Sequence, residues 1–587
     1  MKRQIIHTLF TIIVLFVSIA SQAAKVSPEP ITVVQPDKAL LTVYGHGDEH
    51  LSWYTTADGV ILVHEGCSYY VAAIDQSGNL LATTQLAHER GERTLREDAL
   101  VKAQDRTLFY NSLQRNRQVA LTRSIPIGTF NPPYFPHTGS PKALVILVQF
   151  KDTVFSMSNP RQSFSDYLNA EGPLSNYGNM ESRNYGSVRQ YFKDMSQGKF
   201  TPQFDVAGPV TLDSASAYYG KNSGSITDVH VSDMVREACA AVNNEVNFAD
   251  YDSDHDGLVD LVYIIYAGWS ESVGGNSSDC IWPKSSWIYN LSFDNVNIRR
   301  YGINNELNYF PNKKFTSNPE ITRRINGIGL FCHEFSHTMG LPDFYYPDAP
   351  DNQEMEYWDL MDNGEYTDNG YTPTPYTPWE KEVMGWTSLQ TITEAKRYTL
   401  ANDSALKVEA ENGEYMILHN VQKTGWNKAQ LGHGMVVYRV DYPYDTVNMS
   451  DNPNKTFGTP AMTLVPADSL LISSYNVDNV KYTSQDYFNS LAADPYPGTT
   501  NMTEITSVKL NKSTLNKPIY NITETDGIIA FDFLERNPAT GIALQSANGN
   551  GQKIEKIYTI DGRYVGTSMA GLPKGIYIKG NKKIIVR

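Results

Sequence analysis

The sequence of 587 residues predicts a multidomain protein, with an α/β domain built on a mixed sheet and a metal-binding helix, followed by an all-β sandwich. Continuous apolar runs at residues 142–150 and 261–266 are typical of strands buried on both faces. Apolar residues between Val231 and Val242 recur at helical spacing and predict a helix that packs on that sheet. After Trp386, many short strand-like stretches alternate with turn-rich loops, which indicates the sandwich.

Residues 1–23 have the pattern of a secretory signal peptide. Lys2 and Arg3 precede an apolar stretch over residues 9–19, and Ser21 and Ala23 are small residues at the two positions that a signal peptidase reads. The apolar stretch is too short for a comfortable transmembrane helix. We therefore expect an exported protein.

Residues 24–125 combine short alternating strand-like stretches with a charged helical run from Glu92 to Arg117. Basic residues and prolines then cluster where the segment ends: Arg115, Arg117, Arg123, Pro126, Pro132, Pro133, Pro136 and Pro141. This composition is typical of an exposed linker at which proteolysis is easy. We expect a separate N-terminal segment that a cleavable linker joins to the α/β domain.

The stretch from Phe331 to Asp343 contains the pattern His-Glu-x-x-His. On a helix, His333 and His337 lie one turn apart on the same face, so two neutral imidazoles can bind one zinc ion. Zinc acidifies a bound water and polarises a carbonyl, and Glu334 can take a proton from the attacking water and return it to the leaving amine. Glu334 is therefore assigned as general base and not as ligand. A bare pattern of this kind also occurs on helices whose histidines are only hydrogen-bonded in a core.

The residues that follow the second histidine extend the pattern. Gly340 can adopt the left-handed conformation that ends a helix and turns the chain back. The turn brings Asp343 within reach as a third zinc ligand. Further on, Met361 ends a Trp-Asp-Leu-Met stretch that precedes Asn363 and Gly364, the composition of a tight turn with an apolar anchor. A methionine beneath the metal fits this position.

These residues form one extended motif: His333, Glu334, His337, Gly340, Asp343 and Met361. The motif, with Met361 in a Met-turn, resembles the metzincin-like zinc peptidases and, within them, the immune inhibitor A-type family of secreted bacterial metalloproteases. The resemblance implies a zincin-type catalytic domain over residues 126–392 and a propeptide over residues 24–125. It also implies a zinc endopeptidase that is made as a zymogen and hydrolyses peptide bonds of extracellular proteins.

The four cysteines are Cys67, Cys239, Cys280 and Cys332. They contain no Cys-x-x-Cys pair, which excludes a zinc ribbon and a dense disulfide framework. A bridge between Cys239 and Cys280 stays open. Cys67, in the predicted propeptide, is a candidate thiolate ligand that holds the zymogen latent, with an ordinary core cysteine as the alternative. Cys332 is expected to be a small buried packing residue.

Residues 252–260 match the first part of an EF-hand-type calcium loop. Asp252, Asp254, Asp256 and Asp260 occupy positions one, three, five and nine, and a glycine occupies position six. Position twelve is Tyr263 instead of glutamate, so the match is incomplete. Because carboxylates this close repel one another without a cation, we favour a structural Ca²⁺ site over an acidic turn without a cation.

Residues 393–538 are predicted as the β-sandwich, and no cluster of titratable residues indicates chemistry within it. Residues 539–587 contain three short strand-like stretches, the turn Asp561-Gly562-Arg563, a Leu-Pro-x-Gly-Ile-Tyr run and a basic end. These features resemble the C-terminal sorting domains of type IX secretion cargo. The resemblance implies the type IX secretion machinery as partner and a location outside the cell or on its surface. A small β appendix is the alternative.

The net charge of −15 argues against nucleic acid or an anionic membrane as a partner and favours a solvated exported protein. The family resemblance implies proteins and peptides as substrates. Two functions of different class remain. One is a secreted zinc endopeptidase, and the other is an adhesion or binding protein on a metalloprotease scaffold with little or no activity. Glu334 beside an intact ligand set favours the enzyme. A zinc hydrolase of a non-peptide amide would differ only in the shape of its pocket.

Overall fold

The computed structural model describes residues 24–27, 30–47, 52–66, 68–117, 134–223, 227–272, 279–308, 324–345, 355–449, 451–456, 458–473, 482–536, 557–559, 564–566, 572–579 and 582–586. The predicted signal peptide, Cys67 and most of the predicted linker lie outside the described residues. Among the helices of these ranges, none is long and apolar enough to cross a membrane. The chain forms two compact units, Met1–Leu534 and Glu535–Arg587.

The first unit begins with a six-stranded antiparallel sheet in which the strands follow one another in chain order. Its elements are β1 (Ile31–Val34), β2 (Leu40–Gly47), β3 (Ser52–Thr56), β4 (Ile61–Glu65), β5 (Ser68–Ile74), β6 (Leu80–Leu86), α1 (Leu95–Ala103) and α2 (Arg106–Arg117). The charged helical run is thus two helices. The first begins at Thr94, whose side chain accepts a hydrogen bond from the amide of Glu97.

The α/β part follows. Its elements are β7 (Lys142–Gln149), α3 (Pro160–Asn169), β8 (Asn176–Tyr177), β9 (Met180–Glu181), α4 (Val188–Met195), β10 (Gln203–Thr211), α5 (Ser216–Tyr219), α6 (Val231–Val242), β11 (Leu258–Val259), β12 (Val262–Tyr266), β13 (Lys284–Trp287), β14 (Ser292–Phe293), β15 (Val296–Ile298), β16 (Arg300–Asn305), α7 (Ile328–Thr338) and α8 (Pro378–Val383). Short 3₁₀ turns occur at Phe248–Tyr251, Glu356–Trp358 and Asn363–Gly370.

The main sheet of this part has the order β10-β7-β12-β16-β13. Its first four strands run parallel and β13 is an antiparallel edge. Alternate side chains of β7 enter two different cores, because Leu144 and Ile146 pack with α6 whereas Val145 and Leu147 pack with α7. A strand that is covered on both faces explains the continuous apolar run in the sequence.

A second group of sheets follows α8. Its elements are β17 (Gln390–Thr391), β18 (Lys396–Leu400), β19 (Ala405–Glu409), β20 (Tyr415–Val421), β21 (Gly434–Val440), β22 (Met462–Leu464), α9 (Ser484–Ala493), β23 (Val508–Lys509), β24 (Thr514–Leu515), β25 (Ile519–Thr525) and β26 (Ile528–Phe533), with 3₁₀ turns at Gly425–Ala429 and Tyr444–Thr446. A five-stranded sheet, β17-β19-β20-β21-β22, and a three-stranded sheet, β18-β26-β25, form most of it.

The two sheets share one core, which contains Leu418 of β20 and Phe531 of β26, as expected for a sandwich. The other face of β20 and β21 is also covered. Ile417 and Val436 belong to the same hydrophobic cluster as Phe335 of α7. The sandwich is therefore packed into the core of the α/β part, which the sequence did not predict.

The second unit is a four-stranded antiparallel sheet in the order β28-β27-β29-β30, with β27 (Ile557–Thr559), β28 (Tyr564–Gly566), β29 (Gly575–Lys579) and β30 (Lys582–Val586). The sequence predicted three strands. The difference arises because the first predicted stretch folds back on itself as the paired strands β27 and β28. The turn Asp561-Gly562-Arg563 lies outside the described residues.

Candidate metal centre

The helix α7 carries the two histidines, and every residue in it is buried. It ends as the sequence predicted, because Gly340 adopts φ 106° and its amide donates to the carbonyl of His337 at 2.9 Å. The amide of Leu341 donates to the carbonyl of Ser336 at 3.2 Å, which turns the chain back over the helix. This reversal places Asp343 opposite the histidines.

Three ligand atoms converge on one point. The Nε2 atoms of His333 and His337 are 3.1 Å apart, and Oδ1 of Asp343 lies 3.2 Å from the first and 3.3 Å from the second. All three side chains are buried. The structure therefore brings together the three predicted ligands, which is the number that a catalytic zinc site takes from the protein.

The hydrogen bond that Nδ1 of each imidazole makes leaves Nε2 directed at the point where the three ligand atoms converge. Nδ1 of His333 donates to the carbonyl of Leu360 at 2.9 Å, and Nδ1 of His337 donates to the carbonyl of Leu341 at 2.7 Å. In the neutral imidazoles both Nε2 lone pairs then face a carboxylate oxygen with no proton between them. Three acceptors at this spacing repel one another unless a cation lies among them, so the donor set fits a metal ion.

The charge state of Asp343 also suits a ligand. Burial acts to raise the pKa of its carboxyl, but His337 and His333, when they are protonated in the absence of a metal, hold that pKa to about 2. Asp343 is therefore ionised at neutral pH. A metal ion would take over the stabilisation of this carboxylate that the imidazoles supply here.

The segment that contains Met361 lies beside the metal ligands. The carbonyl of Met361 accepts a hydrogen bond from the amide of Phe344 at 2.9 Å, and the carbonyl of the preceding Leu360 orients His333. Gly329 of α7 permits this close approach, because a Cβ at that position would lie 2.0 Å from the carbonyl oxygen of Glu365. The buried turn around Met361 thus supports both His333 and the chain after Asp343.

Two buried acids next to this turn were missed by the sequence analysis. Asp362 is fully buried, and its carboxylate accepts hydrogen bonds from the amides of Met355, Glu356 and Asn363 at 2.7–3.0 Å. Glu365 is buried too, and neither of its carboxylate oxygens has a hydrogen-bond partner among the described residues. The local sequence indicated only a tight turn, which is compatible with exposed acids, so no signal in it pointed to their burial.

Burial raises the pKa of Glu365 to about 8, and the charge of His333 opposes that shift. Burial likewise raises the pKa of Asp362 to about 6, and the ammonium of Lys25 opposes it. An additional positive charge next to either carboxyl would favour the ionised form.

Residues from the start of the predicted propeptide reach the metal centre. The backbone nitrogen of Ala24 donates to Oε1 of Glu334 at 2.7 Å, although 310 positions separate the two residues. The carbonyl of Ala24 accepts a hydrogen bond from Nε1 of Trp282 at 2.8 Å, and the carbonyl of Lys25 accepts one from the hydroxyl of Tyr366 at 2.6 Å. The tetrapeptide Ala24–Ser27 therefore lies at the candidate base.

Three of the four cysteines lie among the described residues. The bridge between Cys239 and Cys280 that the sequence left open is not formed. Cys332 is fully buried beside the histidines, which agrees with a packing role. Cys67, the candidate latency ligand, lies outside the described residues.

The acidic loop brings together three of its four predicted ligands. Asp252, Asp254 and Asp256 each present an oxygen within 4.8 Å of the others. Asp260 is not part of that group, and its carboxylate accepts a hydrogen bond from the amide of Ser253 at 3.3 Å. Exposed acidic groups adopt such arrangements without an ion as well, so a calcium site with all four residues stays a prediction.

The region that contains the candidate metal centre is similar to known proteins. Residues 135–388 match the profile of the immune inhibitor A peptidase M6 catalytic domain. The chain is 26% identical over 275 residues to the pre-pro-metalloprotease PrtV of Vibrio cholerae serotype O1, a match that covers 41% of this chain and 29% of that protein. It is also 26% identical over 283 residues to Immune inhibitor A of Bacillus thuringiensis subsp. alesti, which covers 41% of this chain and 39% of that protein.

The matched region thus spans at most 39% of the length of these relatives. It includes both histidines, Glu334, Asp343 and the turn around Met361. Residues 135–388 are therefore homologous to the catalytic domain of peptidase M6, the immune inhibitor A family.

Proposed function

We propose that this protein is a secreted zinc-dependent endopeptidase that hydrolyses peptide bonds of extracellular proteins. The observation that carries the proposal is the convergence of His333, His337 and Asp343 within 3.1–3.3 Å of one another, next to Glu334, whose carboxylate already contacts a peptide nitrogen at 2.7 Å. A general base must lie within about 2.6–3.2 Å of the group with which it exchanges a proton. Glu334 meets that requirement with a peptide in the site.

Zinc, held by His333, His337 and Asp343, would acidify a water and polarise the scissile carbonyl. Glu334 takes the proton of the attacking water and then gives it to the nitrogen of the leaving amine. Trp282 and Tyr366 donate hydrogen bonds to two successive carbonyls of the bound peptide and so hold its backbone in place. Burial raises the pKa of Tyr366 well above its ordinary value, which keeps its hydroxyl a donor.

Residues 24–125 act as a propeptide that keeps the enzyme latent. Ala24–Ser27 occupies the position at the base where a substrate backbone would lie, and this supports inhibition by steric exclusion. Removal of residues 1–23 would turn the nitrogen of Ala24 into an α-ammonium, which forms a stronger, charge-assisted hydrogen bond with Glu334. A thiolate of Cys67 as zinc ligand is a second route to latency.

Two further assignments complete the proposal. A structural Ca²⁺ bound by Asp252, Asp254, Asp256 and Asp260 would brace the loop before β12, and Met361 would serve as the Met-turn beneath the zinc. Residues 539–587 would direct the protein through the type IX secretion machinery.

A casein digestion assay tests the proposed activity. The matured protein is assayed alone, with a zinc chelator, and with the chelator followed by excess Zn²⁺. We expect cleavage that the chelator abolishes and Zn²⁺ restores. Matured protein that binds zinc but cleaves no protein substrate would refute the endopeptidase and favour a binding protein on this scaffold.

A further inference from the structure

The side chain of Lys25 is buried in a place where a lysine is unusual. Only 2% of it is exposed, and its Nζ lies 3.4 Å from Oδ1 of the fully buried Asp362. The same ammonium lies over the ring of Tyr345, 5.2 Å from the ring centre. Lysine is almost never this buried unless it is paired, so its surroundings must compensate for the loss of water.

The surroundings of Lys25 belong to the catalytic part of the chain and have the chemistry of a cation site. Asp362 supplies a carboxylate whose other hydrogen bonds come from backbone amides, which fixes its orientation. Tyr345 supplies an aromatic face, which attracts cations.

The backbone of the same residue is bound as a substrate backbone would be. The carbonyl of Lys25 accepts a hydrogen bond from Tyr366, and the preceding residue contacts Glu334 and Trp282. The Lys25 side chain therefore enters its site from a peptide that lies against the candidate base. When the propeptide leaves, Asp362 and Tyr345 remain in the enzyme.

We propose that Asp362 and Tyr345 form a subsite that selects a lysine or arginine side chain in protein substrates, and that Lys25 occupies this subsite in the uncleaved chain. This inference rests on the proposed endopeptidase function and names its substrate preference. A buried carboxylate with no cation beside it is costly, so a neutral side chain leaves the subsite uncompensated and an acidic one adds repulsion. The preference follows from that difference.

The test compares peptides that differ at one position. Cleavage sites of the matured enzyme in denatured casein are first mapped by mass spectrometry, and a cleaved sequence is then synthesised with Lys, Arg, norleucine or Glu at the enriched position. We expect Lys or Arg at one fixed position relative to the cleaved bond. We expect kcat/KM to be at least about tenfold higher for Lys than for norleucine, and lower again for Glu.

Asp362→Asn tests the site itself. The amide keeps the size of the side chain and removes the negative charge that faces Nζ of Lys25. We expect the ratio of kcat/KM for the Lys and norleucine peptides to fall at least about threefold. Glu394→Gln, an equal change at an exposed carboxylate, serves as control and should leave the ratio unchanged.

Tyr345→Leu removes the aromatic face and should also lower the ratio, and melting curves show whether both variants remain folded. Equal cleavage of the Lys and norleucine peptides by wild type would overturn the subsite while leaving the endopeptidase intact. A wild-type ratio that persists in both folded variants would also overturn it. Absence of any cleavage would refute the proposed function itself, which is a different outcome.

Discussion

At the scale of single residues, the centre depends on which nitrogen of each imidazole is protonated. His333 and His337 each donate Nδ1–H to a main-chain carbonyl, from Leu360 and Leu341 respectively. Neither carbonyl belongs to the helix that carries the histidines, so two separate loop segments set the tautomers. Main-chain carbonyls are suited to fixing the tautomers because no side-chain substitution removes them. With Nδ1 protonated, both Nε2 atoms are directed at Asp343.

Glu334→Gln should abolish peptide cleavage while zinc and fold remain. The amide keeps the shape of the side chain but cannot accept the proton of the attacking water, so turnover should fall about 10²- to 10⁴-fold or more. The measurement is kcat on casein with protein from which residues 24–125 have been removed, together with zinc content by mass spectrometry. Near-full proteolysis with zinc bound would show that Glu334 is not the base.

His337→Ala should lose zinc from the site, because two ligands cannot complete a catalytic zinc centre. Zinc content after gel filtration decides the matter. The matched control is His433→Ala, since the imidazole of His433 is 52% exposed and pairs with Glu524 far from the centre. If His337→Ala retained one zinc per chain as the control does, the ligand assignment would be wrong.

At the scale of elements, α7 and the segment that follows Met361 pack so closely that no space remains between them for an added methyl group. Gly329 of α7 faces the carbonyl of Glu365 in the segment after Met361. Alanine in place of glycine usually stabilises a helix by about 1 kcal/mol. Here the added Cβ would lie 2.0 Å from that oxygen, and such overpacking costs about 1–3 kcal/mol, so the clash decides the sign.

Gly329→Ala should therefore lower the free energy of unfolding and weaken zinc binding. Urea melts and zinc titrations measure the two effects. Gly91→Ala, where nothing lies within 4 Å of the added Cβ, is the control and should change neither. A stabilised Gly329→Ala protein with unchanged zinc affinity would contradict the close approach.

The acidic loop should make stability depend on calcium, because a ligand that binds only the folded state raises the free energy of unfolding. We expect the melting midpoint to rise with Ca²⁺ and the rise to vanish in Asp254→Ala with Asp256→Ala. The exposed pair Asp213→Ala with Glu411→Ala removes the same charge elsewhere and should keep the rise. An unchanged midpoint in wild type would count against the site.

At the scale of the whole molecule, the metal centre is enclosed by parts that lie far from it in the chain. Nδ2 of Asn454, from the sandwich region, donates to the carbonyl of Phe344 next to Asp343 at 2.8 Å. Nε1 of Trp358, near the Met361 turn, donates to Asp494 at 2.8 Å. The sandwich therefore supports the turn and the third ligand, and its removal would expose part of the catalytic core.

The start of the N-terminal segment contacts the candidate base through the nitrogen of Ala24, so activity should require its removal. We expect active secreted protein to begin after about Arg123, at the basic and proline-rich linker. N-terminal sequencing and mass spectrometry of active material from culture medium provide the measurement. Full activity in a form that begins at Ala24 would be incompatible with the contact between Ala24 and Glu334.

Several features of this protein follow from local sequence. A spacing of four residues places His333 and His337 on one face of a helix, and a glycine after the helix turns the chain so that Asp343 reaches them. The buried strands β7 and β12 can be predicted from the sequence for a similar reason, because a strand that is covered on both faces requires a continuous apolar run. Each of these depends on neighbours within about ten residues.

Other features were decided only by the tertiary structure. The contact of Ala24 with Glu334 spans 310 positions, and that of Lys25 with Asp362 spans 337. No periodicity links such residues, because the path of the chain between them sets their distance. The residue type of Glu365 does not show whether its carboxyl is buried or exposed, because only the packing of distant segments around it removes the water. The sequence by itself thus determined which residues are the candidate ligands and the candidate base, because their spacing is local, and the tertiary structure decided what lies against them.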